Sequence, residues 1–166
     1  MHTLKPITRA GVPAALLKAE RYRLLNDSSA AESICLDVLD ADPDNQHALV
    51  TLLLSITDQI RDGLVEGVTR SREVLPRLKD EYKRHYYAGI ICERRAKAQL
   101  VRGGPRAPQV AAQWVQEAMR HYEPAESMRP TGNDEAILRW NTCARLLNRG
   151  EQLHPPVEEL YEPSLE

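Results

Sequence analysis

The chain of 166 residues has no uninterrupted apolar segment of membrane-spanning length, which is at least about 18 residues. Its N-terminal segment also has no apolar core of the kind that secretory signal peptides carry. Hydrophobic residues make up 42% of the chain and charged residues 28%, which is the balance of a soluble globular protein. We therefore expect a cytoplasmic protein with a single domain and no membrane partner.

Cysteine is scarce, and its three residues never take the C-x-x-C spacing of a metal or redox pair. Cys35, Cys92 and Cys143 each lie within an apolar helical pattern, which indicates buried reduced thiols. A catalytic thiol is the alternative, but no neighbouring residue would lower its pKa. The sequence also offers no nucleophile, base and orienting group at usable spacing, so we predict no catalytic residue and no enzyme activity.

Strand patterns are missing too, because no run of β-branched residues alternates with polar residues between turn signals. Apolar residues instead recur every three or four positions, as they do on one face of an α-helix. The sequence predicts an all-α fold of stacked antiparallel helix hairpins. About seven helices are expected, over residues 13–25, 29–40, 44–57, 61–75, 79–101, 108–128 and 133–148.

Two of these helices begin with capping signals. Ser29 followed by Glu32 fits the S-x-x-E capping box, in which two side chains satisfy free backbone amides at a helix start. Asp42 or Asp44 fits the N-cap of the third helix, where a carboxylate accepts hydrogen bonds from the first turn.

The stretch around this second cap also places Asp40, Asp42 and Asp44 at alternate positions, as a calcium-binding loop does. An EF-hand loop requires a glycine at its sixth place and a bidentate acid at its twelfth, and this chain has Asn45 and Thr51 there. We therefore interpret the three aspartates as turn and cap residues.

Two glutamate–histidine pairs raise a second metal hypothesis. Glu81 with His85, and Glu117 with His121, are spaced i,i+4, so each pair lies on one helix face. Di-iron carboxylate bundles need further glutamates in matching register, which the chain does not supply. Surface hydrogen bonds or ion pairs explain both spacings, and we predict no metal and no cofactor.

One spacing of a small, a large and a small residue followed by a proline occurs twice. It is carried by Ala31, Cys35, Val38 and Pro43, and again by Ala118, Tyr122, Ala125 and Pro130. This spacing resembles the second helix of the tetratricopeptide repeat, whose period is about 34 residues. Ala19 and Tyr22 stand where the first helix of that family has its small residue and its tyrosine.

The resemblance implies a right-handed superhelix whose first helices line a concave, peptide-binding face. From Pro43 to Pro76 is 33 residues, close to one period, whereas from Pro76 to Pro130 is 54. We therefore expect a divergent member of the family over residues 1–150, with an enlarged third repeat that includes a loop at 102–108. The resemblance places Glu20, Arg23, Val50, Leu54, Tyr86, Ile90, Arg94, Asn141 and Arg145 along the concave face.

Charge is unevenly distributed along the chain, whose formal net charge is −2. Residues 151–166 hold five glutamates and no lysine or arginine, so the first 150 residues carry a net charge of +3. Residues 83–106 hold seven basic residues and a single acid, a pattern unlike a surface laced with salt bridges. The basic candidates for binding are Arg94, Arg95, Lys97, Arg102 and Arg106.

The expected function is therefore a protein-interaction module, an adaptor or scaffold that holds a peptide or helix of another protein. An acidic peptide or another anion is one expected ligand of the basic segment, and an ordinary solvated helix face is the alternative. The acidic tail at 151–166 is a second occupant to consider, either docked on the basic surface or solvated. Nucleic-acid binding is the other function considered, and the sequence pI of 6.2 and the lack of interleaved aromatic residues weaken it.

Overall fold

The computed structural model describes residues 2–60 and 64–149, and these residues form α-helices, two short 3₁₀ turns and no strand. The all-α prediction is confirmed. The predicted acidic tail at 151–166 and the predicted start of the fourth helix at residue 61 lie outside the described residues. The helices are α1 (Val12–Leu24), α2 (Ser28–Ala41), α3 (Gln46–Asp58), α4 (Leu64–Val74), α5 (Glu81–Arg102), α6 (Ala107–Ser127) and α7 (Glu135–Asn148).

The cap of α2 differs from the predicted capping box. Asp27 is the N-cap, and its side chain accepts a hydrogen bond from the backbone amide of Ala30 at 3.1 Å. The prediction of Ser29 as the cap was wrong because Asp27, two residues earlier, supplies the acceptor and the helix already begins at Ser28. Glu32 is released from a capping role and bonds instead to Gln59 and Arg70, which tie α2 to the end of α3 and to α4.

The N-cap of α3 also differs from the prediction: it is Asn45, the residue after Asp44. Asn45 accepts a hydrogen bond from the backbone amide of Ala48 at 2.9 Å, since it directly precedes the first helical residue. Asp42 accepts a hydrogen bond from the Asn45 side-chain amide at 2.9 Å, so it orients the capping residue. Asp42 and Asp44 therefore do not cap the helix themselves.

Each helix packs against the one that follows it, and α3 also contacts α1 and α5. Glu32, near the start of α2, bonds to Gln59, which follows the last residue of α3, so these two helices run antiparallel. Arg23 and Asp58 lie at the C-terminal ends of α1 and α3 and are 2.8 Å apart, so α1 and α3 run in the same direction. The short links between α1, α2 and α3 require this alternation.

The buried side chains form two clusters that meet at α5. One cluster draws mainly on α1 to α4, and the other on α5, α6 and α7. The six helical residues of the twice-occurring sequence pattern are all fully buried: Ala31, Cys35, Val38, Ala118, Tyr122 and Ala125. The pattern therefore marks positions where helices pack closely.

Helices α5 and α6 pack closely at Gly89. A Cβ atom built on Gly89 would lie 2.3 Å from Cε1 of Tyr122, whose side chain has no exposed surface. Because a real Cβ cannot come that near, only glycine lets α5 lie against the tyrosine ring. This contact fixes the distance between the two longest helices.

The outer face of α1 exposes large apolar side chains beside the exposed Lys18 and Arg21. The side chains of Leu17, Leu24 and Leu25 are 67%, 81% and 69% exposed, and no described residue covers them. The end helix of a helical stack usually has a polar outer face. The N-terminal end of this molecule therefore carries an apolar surface, which we call the α1 face.

Candidate functional site

An open groove of about 470 Å³ lies between the end of α3 and the second half of α5. Its apolar lining includes Ile60, Leu100 and Val101, and Val101 is 67% exposed. Arg94 and Lys97 supply the cationic part of the lining. These two residues are three positions apart on α5, so their side chains lie on the same face of the helix.

Asp58 joins the groove to α1 through two ion pairs. Its Oδ2 accepts a hydrogen bond from Nε of Arg23 at 2.8 Å, and its Oδ1 lies 2.9 Å from Nη2 of Arg94. One carboxylate thus connects three helices. A carboxylate in the last turn of a helix is disfavoured by the helix dipole, so the position of Asp58 was a sequence signal that a cationic partner lies nearby.

The groove carries an excess of positive charge among the described residues. Arg23, Arg94 and Lys97 face one carboxylate, that of Asp58. Lys97 is exposed and makes no ion pair with any residue of the described ranges. A ligand that brings further carboxylates would therefore meet two uncompensated charges beside an apolar surface.

The other basic candidates do not join this groove. Arg95 points to α6, where its guanidinium carbon lies 3.7 Å from the ring centre of Trp114. Successive residues of an α-helix differ by about 100° in direction, so Arg94 and Arg95 face different sides of α5. Arg102 and Arg106 are exposed at the end of α5 and just before α6, outside the groove lining.

Two residues predicted on the concave face belong to the core. Ile90 is 3% exposed, and Tyr86 is 9% exposed with its ring against those of Tyr82, Tyr87 and Tyr122. Neither offers surface to a partner, which corrects the prediction. The physical reason is that α6 packs against α5 at Tyr86 and Ile90.

The remaining predicted residues are spread over other parts of the molecule. Val50 and Leu54 are half-buried against the two core clusters. Glu20 lies 2.6 Å from Nε2 of His47, which links α1 to α3. Asn141 and Arg145 lie on α7 and do not line the groove.

Three of the acidic residues that suggested metal chemistry have basic partners: Asp42, Asp44 and Glu117. Asp42 pairs with Arg9 at 3.4 Å, and Asp44 pairs with Lys79 at 3.5 Å. No group of three or more potential metal ligands occurs in the part of the chain that the structure describes. Glu117 forms an ion pair with Arg120, and its carboxylate lies 3.8 Å from Nε2 of His121. Burial lowers the pKa of His121 from its ordinary value, so this second contact is not an ion pair at neutral pH.

Glu93 is a buried acid of α5 whose contacts the sequence analysis does not predict. Its side chain is only 6% exposed, accepts a hydrogen bond from the Tyr122 hydroxyl at 2.6 Å, and lies 3.3 Å from Nη1 of Arg139. It therefore ties α5 to α6 and α7. Its sequence position carried a signal, since Glu93 follows Ile90 by three residues and so lies on the buried face of α5.

The three thiols are buried, which keeps them unreactive. Cys35, Cys92 and Cys143 are free and buried, which confirms the prediction. Burial raises their pKa values to about 12, about 11 and about 12, respectively. Since the thiolate is the nucleophilic form, none of the three is activated at neutral pH.

These thiols and the buried tyrosines predict a loss of stability in alkaline solution. Burial raises the pKa of Tyr87 to about 12 and raises those of Tyr82, Tyr86 and Tyr122 as well. The folded state thus holds protons that the unfolded chain releases from about pH 9 upward, so the free energy of unfolding should fall from there toward pH 12. Urea unfolding in a pH series measures this, and a free energy that is constant up to about pH 11 would contradict the burial of these groups.

No helix among the described residues is long and apolar enough to cross a membrane. Comparison of the chain with protein-family models, with curated protein sequences and with solved structures finds no match in any of the three. The groove, its charges and the sequence spacing therefore carry the functional argument alone.

Proposed function

We propose that the protein is a non-catalytic interaction module, a divergent tetratricopeptide-like adaptor that binds an acidic segment of a partner protein in the groove between α3 and α5. The observation that carries the proposal is that cationic and apolar side chains line the same groove. Arg94 and Lys97 offer positive charge beside the exposed apolar surface of Val101. A peptide that alternates glutamates with apolar residues fits both features.

The packing of the helices supports the resemblance to the repeat family. The pattern residues of α2 and α6 are fully buried, as the close helix contacts of that family require. The helices that would be the first of each repeat, α1, α3 and α5, contact one another in order. A row of such helices is the surface on which that family binds peptides.

Arginine suits the recognition of carboxylates. Its guanidinium group presents parallel N–H donors that match the two oxygens of a carboxylate. Arg94 already uses Nη2 toward Asp58, so its geometry for a carboxylate is set before a ligand arrives. A bound glutamate would share the arginine with Asp58 and take Lys97 as its second cation.

The distribution of basic residues disfavours a nucleic-acid interface. Arg84 donates hydrogen bonds to the carbonyl oxygens of Leu78 and Lys79, and Arg95 lies on Trp114. With Arg94 on yet another side of α5, the basic segment 83–106 forms no continuous stripe in the described structure. Tracking a phosphate backbone requires such a stripe.

Neutralising the groove cations should remove acidic-peptide binding. The probe is a fluorescent peptide with the sequence of residues 151–166, which holds five glutamates and five large apolar residues, Leu153, Val157, Leu160, Tyr161 and Leu165. We expect the double substitution Arg94→Gln with Lys97→Gln to weaken its binding at least about tenfold, since two charge-assisted contacts are lost. Fluorescence anisotropy measures the affinity.

The matched control is Arg102→Gln with Arg106→Gln, which removes the same charge outside the groove. This variant should bind within about twofold of the wild type, because screening weakens charges that do not touch the ligand. Equal losses in the two double variants, or no saturable binding by the wild type, would contradict the proposal. A peptide with its glutamates changed to glutamine should not bind.

The same titration addresses the tail at 151–166. All described helices end before Gly150, so a chain that stops there retains both core clusters. If the tail occupies the groove in the same molecule, the shortened chain should bind the peptide more tightly, because the tethered competitor is gone. Equal affinity would show that the tail leaves the groove open.

A further inference from the structure

A second charged cleft lies between α4 and α6. Its volume is about 380 Å³, and its lining includes Arg72, Gln113, Trp114, Gln116 and Arg120. Two guanidinium groups lie near the Trp114 ring, since the Cζ of Arg72 lies 5.9 Å and that of Arg95 lies 3.7 Å from its centre. Arg72 lines the cleft, whereas Arg95 lies on the ring beside it. The groove between α3 and α5 shares none of these residues.

The charges in this cleft are not balanced by described residues. The lining includes one acid, Glu117. Its carboxylate forms an ion pair with Arg120 at 3.0 Å and lies 3.8 Å from Nε2 of His121. Neither Arg72 nor Arg95 forms an ion pair within the described ranges. The two guanidinium groups lie within about 10 Å of each other, so they repel across a partly desolvated ring.

The lowered pKa of Arg95 agrees with the excess of positive charge around Trp114. Burial, and next the positive charge of Arg72, lower the pKa of Arg95 from its ordinary value. The side chain stays protonated at neutral pH, because an arginine pKa lies far above that range. Stacking on Trp114 holds it in place without a carboxylate.

We propose that this cleft binds a phosphate group, either free or as a monoester. The unpaired guanidinium of Arg72 in the lining and that of Arg95 beside it together match the charge of a phosphate monoester, which is about −1.5 to −2 at neutral pH, whereas a carboxylate would neutralise one of them. The tetrahedral oxygens suit several N–H donors at once. The side-chain amides of Gln113 and Gln116 line the same cleft and add further donors.

The test follows the indole N–H signal of Trp114 by NMR while phosphate compounds are added to the full chain. Trp140, on α7, is the internal reference. The probes are inorganic phosphate and an alanine-flanked phosphoserine peptide, and the controls are the same peptide with serine and with glutamate. We expect a saturable shift of the Trp114 signal with both phosphates, little change of the Trp140 signal, and no saturable shift with either control peptide.

The substitution Arg72→Gln should weaken phosphate binding about tenfold, because an exposed donor with a full charge is lost. The control Gln109→Ala changes an exposed residue of α6 that does not line the cleft and should leave the affinity unchanged. Tighter binding of the phosphopeptide than of inorganic phosphate identifies a phosphorylated protein segment as the ligand, and equal binding identifies free phosphate. An unchanged Trp114 signal, or equal affinity in the Arg72 variant, would overturn the proposal.

Discussion

The substitution Gly89→Ala is expected to destabilise the protein by about 1–3 kcal/mol, the cost of overpacking a rigid core. In an exposed helix the same change stabilises by up to about 1 kcal/mol, so the expected sign is the reverse of the helix-propensity effect. The cause is the 2.3 Å distance between the added Cβ and the ring of Tyr122. That ring is fully buried and cannot swing aside. Urea unfolding measures the change.

A double substitution separates the clash from other effects. In a chain that carries Tyr122→Leu, the ring is absent and the alanine has room. The cost of Gly89→Ala should then shrink or change sign, and a double-mutant cycle gives the coupling between the two sites. A neutral or stabilising Gly89→Ala in the wild-type background would show that α5 and α6 are not in the described contact.

The substitution Glu93→Leu is expected to cost about 2–3 kcal/mol, since it leaves the buried hydroxyl of Tyr122 without its acceptor and removes a charge-assisted bond. The hydroxyl donates to Glu93 at 2.6 Å. Arg139 loses less because its side chain is 40% exposed and water can replace the carboxylate. Chemical unfolding of the variant gives the free-energy change.

Two further variants make the Glu93 result specific. Adding Tyr122→Phe to Glu93→Leu should recover part of the loss, because the unsatisfied hydroxyl is then gone. Glu117→Leu, which breaks a solvent-accessible ion pair with Arg120, should cost less than about 1 kcal/mol. If Glu93→Leu costs no more than Glu117→Leu, the buried network does not contribute to stability.

Much of the fold could be predicted because the breaks between helices are strong local signals. The glycine and proline run at 103–105 and the polar stretch before α2 are strong stop signals, although Gly89 and Pro124 lie inside helices, and six of the seven predicted helices begin and end within two residues of the observed bounds. The predicted start of the fourth, at residue 61, lies outside the described residues. The caps were harder, since several neighbouring residues can supply an acceptor and only the geometry selects Asp27 or Asn45.

The groove could be predicted only in part, because a run of basic residues does not show which side of the helix faces the groove. Arg94 and Lys97 share a helix face, but the rotation of the helix takes Arg95 to Trp114 on α6. The role of Asp58 depends on α1 and α5 meeting α3 at the same place, which no local pattern encodes. Ile90 has the right spacing for the groove and is buried because α6 covers that part of α5.

The most direct test of the central claim locates the bound acidic peptide by methyl NMR on the full chain. We predict that the peptide with the sequence of residues 151–166 shifts the methyl signals of Leu100 and Val101 in the groove, and that Arg94→Gln with Lys97→Gln abolishes these shifts. Shifts confined to Leu17 and Leu25 of the α1 face, or no saturable shifts at all, would contradict the assignment of the groove as the recognition surface.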